Sequence, residues 1–201
     1  MKTIKINKIK FIDTLKKKHI NLFNSFDLKK IFQINSKNTL NHLLTRLNKA
    51  GIIKRLIKNK YQFLYSDIIP SDFTIANFLI SSSYISLESA LSYYGLVDQF
   101  PYRITSIALM RSKELKVGKK NLSYSRIKKD FFRDFTKIDD FLIATKEKAI
   151  FDYSYFVFKG LRPINTLKDI QNCFTDTNIK GYILNNGNKQ LINFIKKHVK
   201  L

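Results

Sequence analysis

Apolar positions in the first part of the chain follow a helical spacing. Residues 8–22 carry apolar side chains at every third or fourth position, which predicts a first helix. A second helix is predicted after Ser25, an N-cap candidate, with Asp27 in its first turn, where the helix dipole favours an acid. A third is predicted at residues 39–50, with four leucines on one face, and Gly51 follows as a C-terminal glycine.

The pattern then changes to that of strands. Residues 52–57 and 61–65 read as two short strands on either side of the polar turn 58–60. Three helices followed by a β-hairpin predict a winged helix-turn-helix domain over residues 1–67. The segment 66–72, which contains Pro70, is the expected linker.

The remainder, residues 72–201, mixes helical and strand patterns. Helices are predicted at residues 73–80, after Ser86 as N-cap with Gly95 near the end, after Thr145 as N-cap, and from about Asn188 to Leu201. Strands are predicted at residues 103–110, 122–128 and 140–144, with a turn at Gly118 between the first two. The expected fold class is therefore α+β, with an N-terminal winged helix-turn-helix followed by a mixed α/β C-terminal domain.

The net charge of the chain and its uneven distribution predict a binding partner. The 201 residues carry a net charge of +22, which attracts polyanions such as nucleic acid or an anionic membrane surface. Residues 1–65 hold 16 Lys and Arg against 2 Asp, a net of +14, whereas residues 66–201 hold 21 against 13 acids, a net of +8. The N-terminal part is the predicted electrostatic contact.

The predicted third helix and hairpin carry polar side chains suited to DNA. With the leucine face turned to the core, Asn38, His42, Thr45 and Lys49 project outward, and Asn41 and Arg46 lie on the flanks. A recognition helix uses such residues on base edges and phosphates, while a basic wing contacts the backbone or the minor groove. The candidate double-stranded DNA contacts are Lys37, Asn38, Asn41, His42, Thr45, Arg46, Lys49, Lys54, Arg55, Lys58 and Lys60.

Several function classes lack their usual signals. A single cysteine, Cys173, allows no internal disulfide and fits a reducing, cytoplasmic setting, and no apolar run is long enough for a transmembrane helix. The three histidines lie far apart, and there is no glycine-rich phosphate loop. We therefore expect no catalytic site, no metal and no cofactor.

Segments of both predicted domains resemble one bacterial family. The stretch FDLKKIFQINSKNTLNHLLTRLNKAGIIKRLIKNKYQF resembles the winged helix of AbiEi-type antitoxins, the regulators of type IV toxin–antitoxin systems. YISLESALSYYGLVDQFP and IATKEKAIFDY resemble two later segments of that family, in the same order and at similar spacing. The resemblance covers roughly residues 25–160. Its motif positions in the second domain are Ser86, Glu88, Tyr94, Gly95, Glu147, Lys148 and Asp152.

The resemblance implies a non-enzymatic cytoplasmic repressor. Such a protein binds inverted repeats in its own operator and counteracts a nucleotidyltransferase-like toxin, with or without forming a stable complex. From the residues alone, a structural role is favoured for the block around Glu147, with Lys148 and Asp152 as a helical i,i+4 pair. A generic winged-helix regulator without a toxin remains an alternative.

Two further alternatives rest on short patterns. Asp98, Glu114 and Lys116 have the order of a metal-dependent nuclease, although Glu114 and Lys116 also suit a solvated β-turn. The amphipathic tail from Asn188, rich in lysine, suits an anionic lipid surface, but docking on its own domain is favoured and no membrane partner is expected.

Overall fold

The computed structural model describes residues 6–98 and 101–199. The fold is a mixed α+β arrangement with two separate sheets, one of three strands and one of six. The chain divides into two compact units, Met1–Ser71 and Asp72–Leu201. No helix within the described ranges is long and apolar enough to cross a membrane.

The first unit contains three helices and a small antiparallel sheet. Its elements are α1 (Lys8–Lys17), β1 (Leu22–Asn24), α2 (Ser25–Ile31), α3 (Lys37–Lys49), β2 (Ile53–Ile57) and β3 (Lys60–Phe63). The sheet order is β1-β3-β2. Its core is a single apolar cluster in which Phe11 of α1 stacks on Phe32 and meets the edges of Phe23 and Phe63.

The predicted end of the first helix and the predicted cap of the second are wrong. The first helix does not reach Leu22: it ends at Lys17, His19 takes a left-handed φ of 52°, and Leu22 begins strand β1. Asn24, not Ser25, caps α2, because its side chain accepts from two backbone N–H groups while Asp27 accepts the Asn24 N–H. This reciprocal pair is a capping box.

The third helix begins two residues earlier than predicted. The Ser36 hydroxyl accepts from the Thr39 N–H at 3.3 Å, which places the first turn at Lys37. Lys60, predicted in the turn, starts β3 instead and pairs with Asn24 of β1. The predicted leucine face is confirmed, since the four leucines of α3 are buried. Gly51 follows the helix with a φ of +65°, a conformation that favours glycine.

The second unit is built around a six-stranded mixed sheet. Its strands are β4 (Ser83–Ile85), β5 (Arg103–Ala108), β6 (Lys113–Val117), β7 (Lys120–Arg126), β8 (Phe135–Ile138) and β9 (Phe141–Ala144). Their order is β6-β7-β5-β4-β9-β8, with β5/β7 and β4/β9 parallel and the other neighbours antiparallel. Its helices are α4 (Asp72–Leu79), α5 (Glu88–Tyr93), α6 (Lys146–Phe158), α7 (Asn165–Asp169), α8 (Thr177–Asn186) and α9 (Lys189–His198).

Helices cover both faces of this sheet. Tyr124 donates to the Ala76 carbonyl of α4, and the pairing register puts Tyr124 on the same face as Ile85. Side chains alternate along a strand, so Tyr84 and Ser86 point to the opposite face, where both meet Asp152 of α6. α6 is consequently buried along most of its length, with α8 and α9 packed against it.

Short elements and one cap differ from the sequence predictions in the second unit. Strands β4, β6 and β8 were not predicted, and the segment around Glu114, interpreted as a turn, is strand β6. Ser86 is not an N-cap: the cap position of α5 is Leu87, with a φ of 57°, and it has no side-chain cap bond. Thr145 does cap α6, by accepting from the Lys148 N–H at 3.3 Å. The last two residues of the predicted tail, Lys200 and Leu201, lie outside the described residues.

Candidate nucleic-acid interface

A groove of about 510 Å³ separates α3 from the β2–β3 hairpin. We call it the α3 groove. It is lined by Lys37, Asn41, Leu44, Thr45, Asn48, Lys49, Arg55, Lys58, Asn59 and Tyr61. Six of these ten residues are among the DNA contacts predicted from the sequence, so the structure brings the helix and hairpin candidates to one surface.

The packing of α3 decides which side chains reach this groove. Burial of the leucine face fixes the rotation of the helix. Asn41 and Thr45 are one helical turn apart, and both are exposed beside the hairpin. An amide and a hydroxyl at this spacing offer the hydrogen-bonding groups that contact base edges.

The lining of the α3 groove is positively charged. Lys37 and Lys49 come from the helix, and Arg55 and Lys58 come from the hairpin. None of the described lining residues is acidic. Four cations facing one another across a concave surface attract an anionic ligand and repel cations.

One contact ties the hairpin to the helix. The side-chain Oδ1 of Asn48, in the last turns of α3, accepts from the Arg55 N–H of β2 at 3.0 Å. The Arg55 guanidinium is also oriented by the Ile57 carbonyl, at 3.4 Å. Asn48 therefore holds strand β2 in place against the helix that lines the other wall of the groove.

Five predicted contacts lie elsewhere. Asn38 and His42 are exposed on α3, and Lys54 is exposed on β2, but none of the three lines the groove. Arg46 is on the other flank of α3, where its Nη2 donates to the Ile6 carbonyl at 2.8 Å. Lys60 is half-buried, and burial lowers the pKa of its ammonium, while the charge of Asp27 acts in the opposite direction.

Four lining residues were not predicted as contacts, and one of them, Leu44, belongs to the buried leucine face of α3. Asn48 was not singled out because its role depends on a hydrogen bond across seven positions of the chain. Asn59 lies in the hairpin turn with a φ of 65°, which asparagine tolerates better than most residues. Tyr61 is a buried strand residue whose ring stacks on Phe23, and only its position next to α3 adds it to the groove.

In the second unit, three of the motif residues meet at one buried carboxylate. Asp152 is 0% exposed and accepts from Lys148 Nζ at 2.5 Å, Ser86 Oγ at 2.9 Å and Tyr84 OH at 3.0 Å. Burial raises the pKa of Asp152, and the Lys148 ammonium and the two hydroxyls oppose that rise. Burial and the adjacent carboxylate raise the pKa of Tyr84, so this hydroxyl keeps its proton and donates.

The other motif residues surround this cluster without joining it. Glu88 forms an ion pair with Arg162 at 2.7 Å, and the Tyr94 hydroxyl donates to the Ala144 carbonyl at 2.8 Å. Gly95 ends α5 with a φ of +66°. Glu147 lies in the first turn of α6, half-buried. The Tyr94 bond links the end of α5 to strand β9, and the Glu88 ion pair links α5 to the segment after α6.

The residues of the nuclease alternative have other contacts. Glu114 lies on strand β6, and its carboxylate accepts from Nη1 of Arg103 at 2.5 Å. Lys116 is exposed two positions further along the same strand. Asp98 lies in the bend after α5. Within residues 6–98 and 101–199, no group of three or more His, Cys, Asp or Glu side chains is placed to hold a metal ion.

Comparison with known proteins gives a fold relationship. The chain is similar in structure to the RV2827C protein from Mycobacterium tuberculosis, known from a crystal structure, with a TM-score of 0.51. The similarity covers 95% of this chain and 81% of that chain, at 11% sequence identity. At this identity the similarity extends to the fold alone. No protein-family model matches the chain, and no match was found among curated proteins.

Proposed function

We propose that this protein is a DNA-binding transcriptional autorepressor that acts as the antitoxin of a type IV toxin–antitoxin pair. Its partners in this proposal are operator DNA with inverted repeats and a nucleotidyltransferase-like toxin. The observation that carries the DNA-binding part is the α3 groove, where two lysines and two exposed polar side chains of α3 face Arg55 and Lys58 of the hairpin.

In this proposal the first unit is a winged helix-turn-helix. α2 and α3 are its helix-turn-helix pair, α3 is the recognition helix, and the β2–β3 hairpin is the wing. A recognition helix enters the major groove while flanking elements hold the phosphate backbone. The exposed polar face of α3, opposite its buried leucines, is consistent with this role.

The groove residues divide into two kinds of contact. Asn41 and Thr45 carry the groups that read base edges, since an amide forms a bidentate pair with adenine and a hydroxyl pairs with several bases. Lys37, Lys49 and Lys58 act as point charges and position the duplex through its phosphates. Asn48 orients the wing but does not itself contact DNA.

The antitoxin part of the proposal rests on the second unit. The family resemblance includes Ser86, Lys148 and Asp152, and these residues share one buried hydrogen-bonded cluster between strand β4 and helix α6. A cluster without solvent access does not contact a toxin directly. Its role in the proposal is to hold α6 against the sheet and so maintain the surface that acts on the toxin.

A mobility-shift assay tests the DNA-binding part. The full-length protein is titrated against a duplex that contains the promoter of its own gene, beside the variant Lys49→Glu/Lys58→Glu. Charge reversal in the α3 groove is expected to weaken binding at least tenfold because two phosphate attractions become repulsions. The matched control Lys196→Glu/Lys197→Glu changes two exposed lysines of α9 and is expected to bind within threefold of the wild type. Equal losses in the two variants would contradict the proposal.

A growth assay tests the antitoxin part. The gene is co-expressed with a neighbouring gene that encodes a nucleotidyltransferase-like protein, and growth is compared with that of cells expressing the neighbour alone. Rescue by the wild type and also by the Lys49→Glu/Lys58→Glu variant is expected, because neutralisation is assigned to the second unit. If DNA binding is observed but rescue is not, the protein is a regulator without antitoxin function.

A further inference from the structure

The second unit has a basic groove of its own, at one end of its sheet. This groove, of about 530 Å³, lies where strands β5 and β7 end, and we call it the sheet-end groove. It is lined by Leu109, Arg126, Ile127, Lys128, Lys129 and Tyr155. It shares no residue with the α3 groove and plays no part in the function proposed above.

The topology of the sheet creates this depression. β5 and β7 are parallel neighbours, and their last residues, Ala108 and Arg126, pair with each other. The carboxyl ends of both strands therefore lie at the same edge, and the chain leaves both there. In open sheets with parallel strands, ligands bind outside the carboxyl ends of the strands. α6 closes the other side of the groove through Tyr155.

The charge of the sheet-end groove selects an anionic ligand. Arg126, Lys128 and Lys129 are exposed, and in the described part of the chain none of the three forms an ion pair. Two further charged residues lie beside the groove without lining it. Lys159 has its Nζ 5.7 Å from the centre of the Tyr155 ring, and Asp130 is an exposed acid next to Lys129 in sequence. The lining itself holds three cations and no acid.

The shape of the groove narrows the choice of anion. Duplex DNA is read by an exposed helix or ribbon that enters its major groove, as proposed for α3, whereas the sheet-end groove receives Tyr155 from α6, a helix that is buried along most of its length. Peripheral proteins place an apolar helix face in a membrane surface. A concave basic groove that contains an aromatic side chain is instead typical of single-stranded nucleic acid, whose backbone follows the charges while bases stack on the ring. Tyr155 supplies that ring. Burial raises its pKa, so its hydroxyl remains a donor.

We infer that the sheet-end groove binds a single strand of nucleic acid, with Arg126, Lys128 and Lys129 on its phosphates and Tyr155 against a base. The ligand class is a phosphodiester strand, and neither a free nucleotide nor a lipid headgroup is the proposed occupant. The site is separate from the α3 groove, so the chain has two nucleic-acid contacts of different kinds.

The test uses the full-length protein and a fluorescein-labelled 15-nucleotide oligouridylate, followed by fluorescence anisotropy at several salt concentrations. The variant Arg126→Ala/Lys128→Ala/Lys129→Ala is expected to bind at least tenfold more weakly. Its salt slope is expected to fall by about 2, since each phosphate contact on a single strand contributes roughly 0.7. The control Lys180→Ala/Lys196→Ala/Lys197→Ala removes three exposed lysines of the same unit and is expected to stay within threefold of the wild type.

Two further measurements assign the binding to this groove. Tyr155→Leu keeps an apolar side chain but removes the ring, and is expected to weaken strand binding about fivefold, whereas Tyr155→Phe restores it. The Lys49→Glu/Lys58→Glu variant is expected to retain strand binding, so failure of the α3 proposal and failure of this inference give different results. Equal losses in the groove and control triples, or wild-type binding by the groove triple, would overturn the inference.

Competition experiments distinguish a nucleic-acid strand from other ligands that contain phosphate. Inorganic phosphate and uridine monophosphate at millimolar concentration are expected to leave the oligouridylate bound, because a single phosphate engages only part of the groove. Displacement by either at that concentration would show a mononucleotide or anion site and overturn the inference. Binding to phosphatidylserine vesicles that the groove triple loses, with oligouridylate binding unchanged, would assign the groove to a membrane surface.

Discussion

The Nζ atom of Lys148 lies 2.5 Å from Oδ1 of Asp152, one turn further along α6, and neither side chain is more than 1% exposed. Two hydroxyls from the strand β4 segment, Tyr84 OH and Ser86 Oγ, complete the contacts of the carboxylate. A buried pair satisfied in this way is tolerated at modest net cost, but removal of one partner leaves an uncompensated charge in the core.

We therefore expect Lys148→Met to destabilise the protein by about 3–5 kcal/mol, the range for breaking a buried pair. Asp152→Asn is expected to lower the free energy of unfolding by a similar amount. The double variant Lys148→Met/Asp152→Asn is expected to lower it by less than the sum of the single changes, because no buried charge is then left without its partner. Urea unfolding followed by circular dichroism measures all three. The control Lys146→Met changes an exposed lysine of the same helix and is expected to remain within about 0.5 kcal/mol. A Lys148→Met variant as stable as this control would contradict the account.

Two variants of Asn48 distinguish a loss of the bond that orients the proposed wing from a loss of DNA contact. Asn48→Asp retains an oxygen that accepts from the Arg55 N–H but adds a negative charge to the α3 groove. Its thermal stability is expected to stay close to that of the wild type, while its affinity for the promoter duplex falls at least tenfold. Asn48→Ala loses the bond, and is expected to cost about 0.5–1.5 kcal/mol of stability. If Asn48→Asp binds the duplex like the wild type, this side of α3 does not face DNA.

Arg46 is expected to contribute to stability, not to base recognition. Its guanidinium donates to the Ile6 carbonyl at 2.8 Å, on the flank of α3 that faces away from the groove. Arg46→Ala is expected to cost about 1 kcal/mol in the free energy of unfolding. Its preference for the promoter duplex over a random duplex is expected to be unchanged. A loss of that preference, measured by competition, would return Arg46 to the set of base contacts.

The phosphate contacts proposed for the α3 groove can be tested by the salt dependence of DNA binding. Lys37→Ala/Lys58→Ala is expected to weaken promoter and random duplexes alike, because point charges on the backbone carry no sequence information. The slope of log affinity against log salt concentration is expected to fall by about 1.8, since each phosphate contact on duplex DNA contributes roughly 0.9. The control Lys196→Ala/Lys197→Ala removes the same charge from α9. An unchanged slope in the groove variant contradicts the assignment.

Helical periodicity predicted the elements that carry many buried positions. The four leucines of α3 predicted its core face correctly, and Thr145 was correctly expected to cap α6. Strands β1 and β4 have only three residues each, which is too short for alternation to be distinguished from chance. Ser86 resembled an N-cap because serine is common there, but its hydroxyl bonds to a carboxylate 66 positions away.

The site was predictable as far as local spacing determines it. Helical spacing placed Thr45 and Lys49 on the outward face of α3 and Asn41 on a flank, and the hairpin pattern placed Arg55 in the ribbon. In the structure all four residues line the α3 groove. The positions of Arg46 and Lys60 could not be derived in this way, because each depends on a partner from another element: the Ile6 carbonyl for Arg46, and the environment of β1 and α2 for Lys60. Such tertiary contacts have no local signal in the sequence.

Recognition of duplex sequence by α3 is tested by removing the side-chain amide of Asn41, which lines the α3 groove. Asn41→Ala and the control Asn193→Ala, an exposed asparagine of α9, are titrated against the promoter duplex and a scrambled duplex of equal length at several salt concentrations. Asn41→Ala is expected to lose about 1–3 kcal/mol on the promoter duplex, the range for a bidentate base contact, with little loss on the scrambled duplex and no change in salt slope. If Asn41→Ala binds both duplexes like the control, or weakens both equally, α3 does not read sequence.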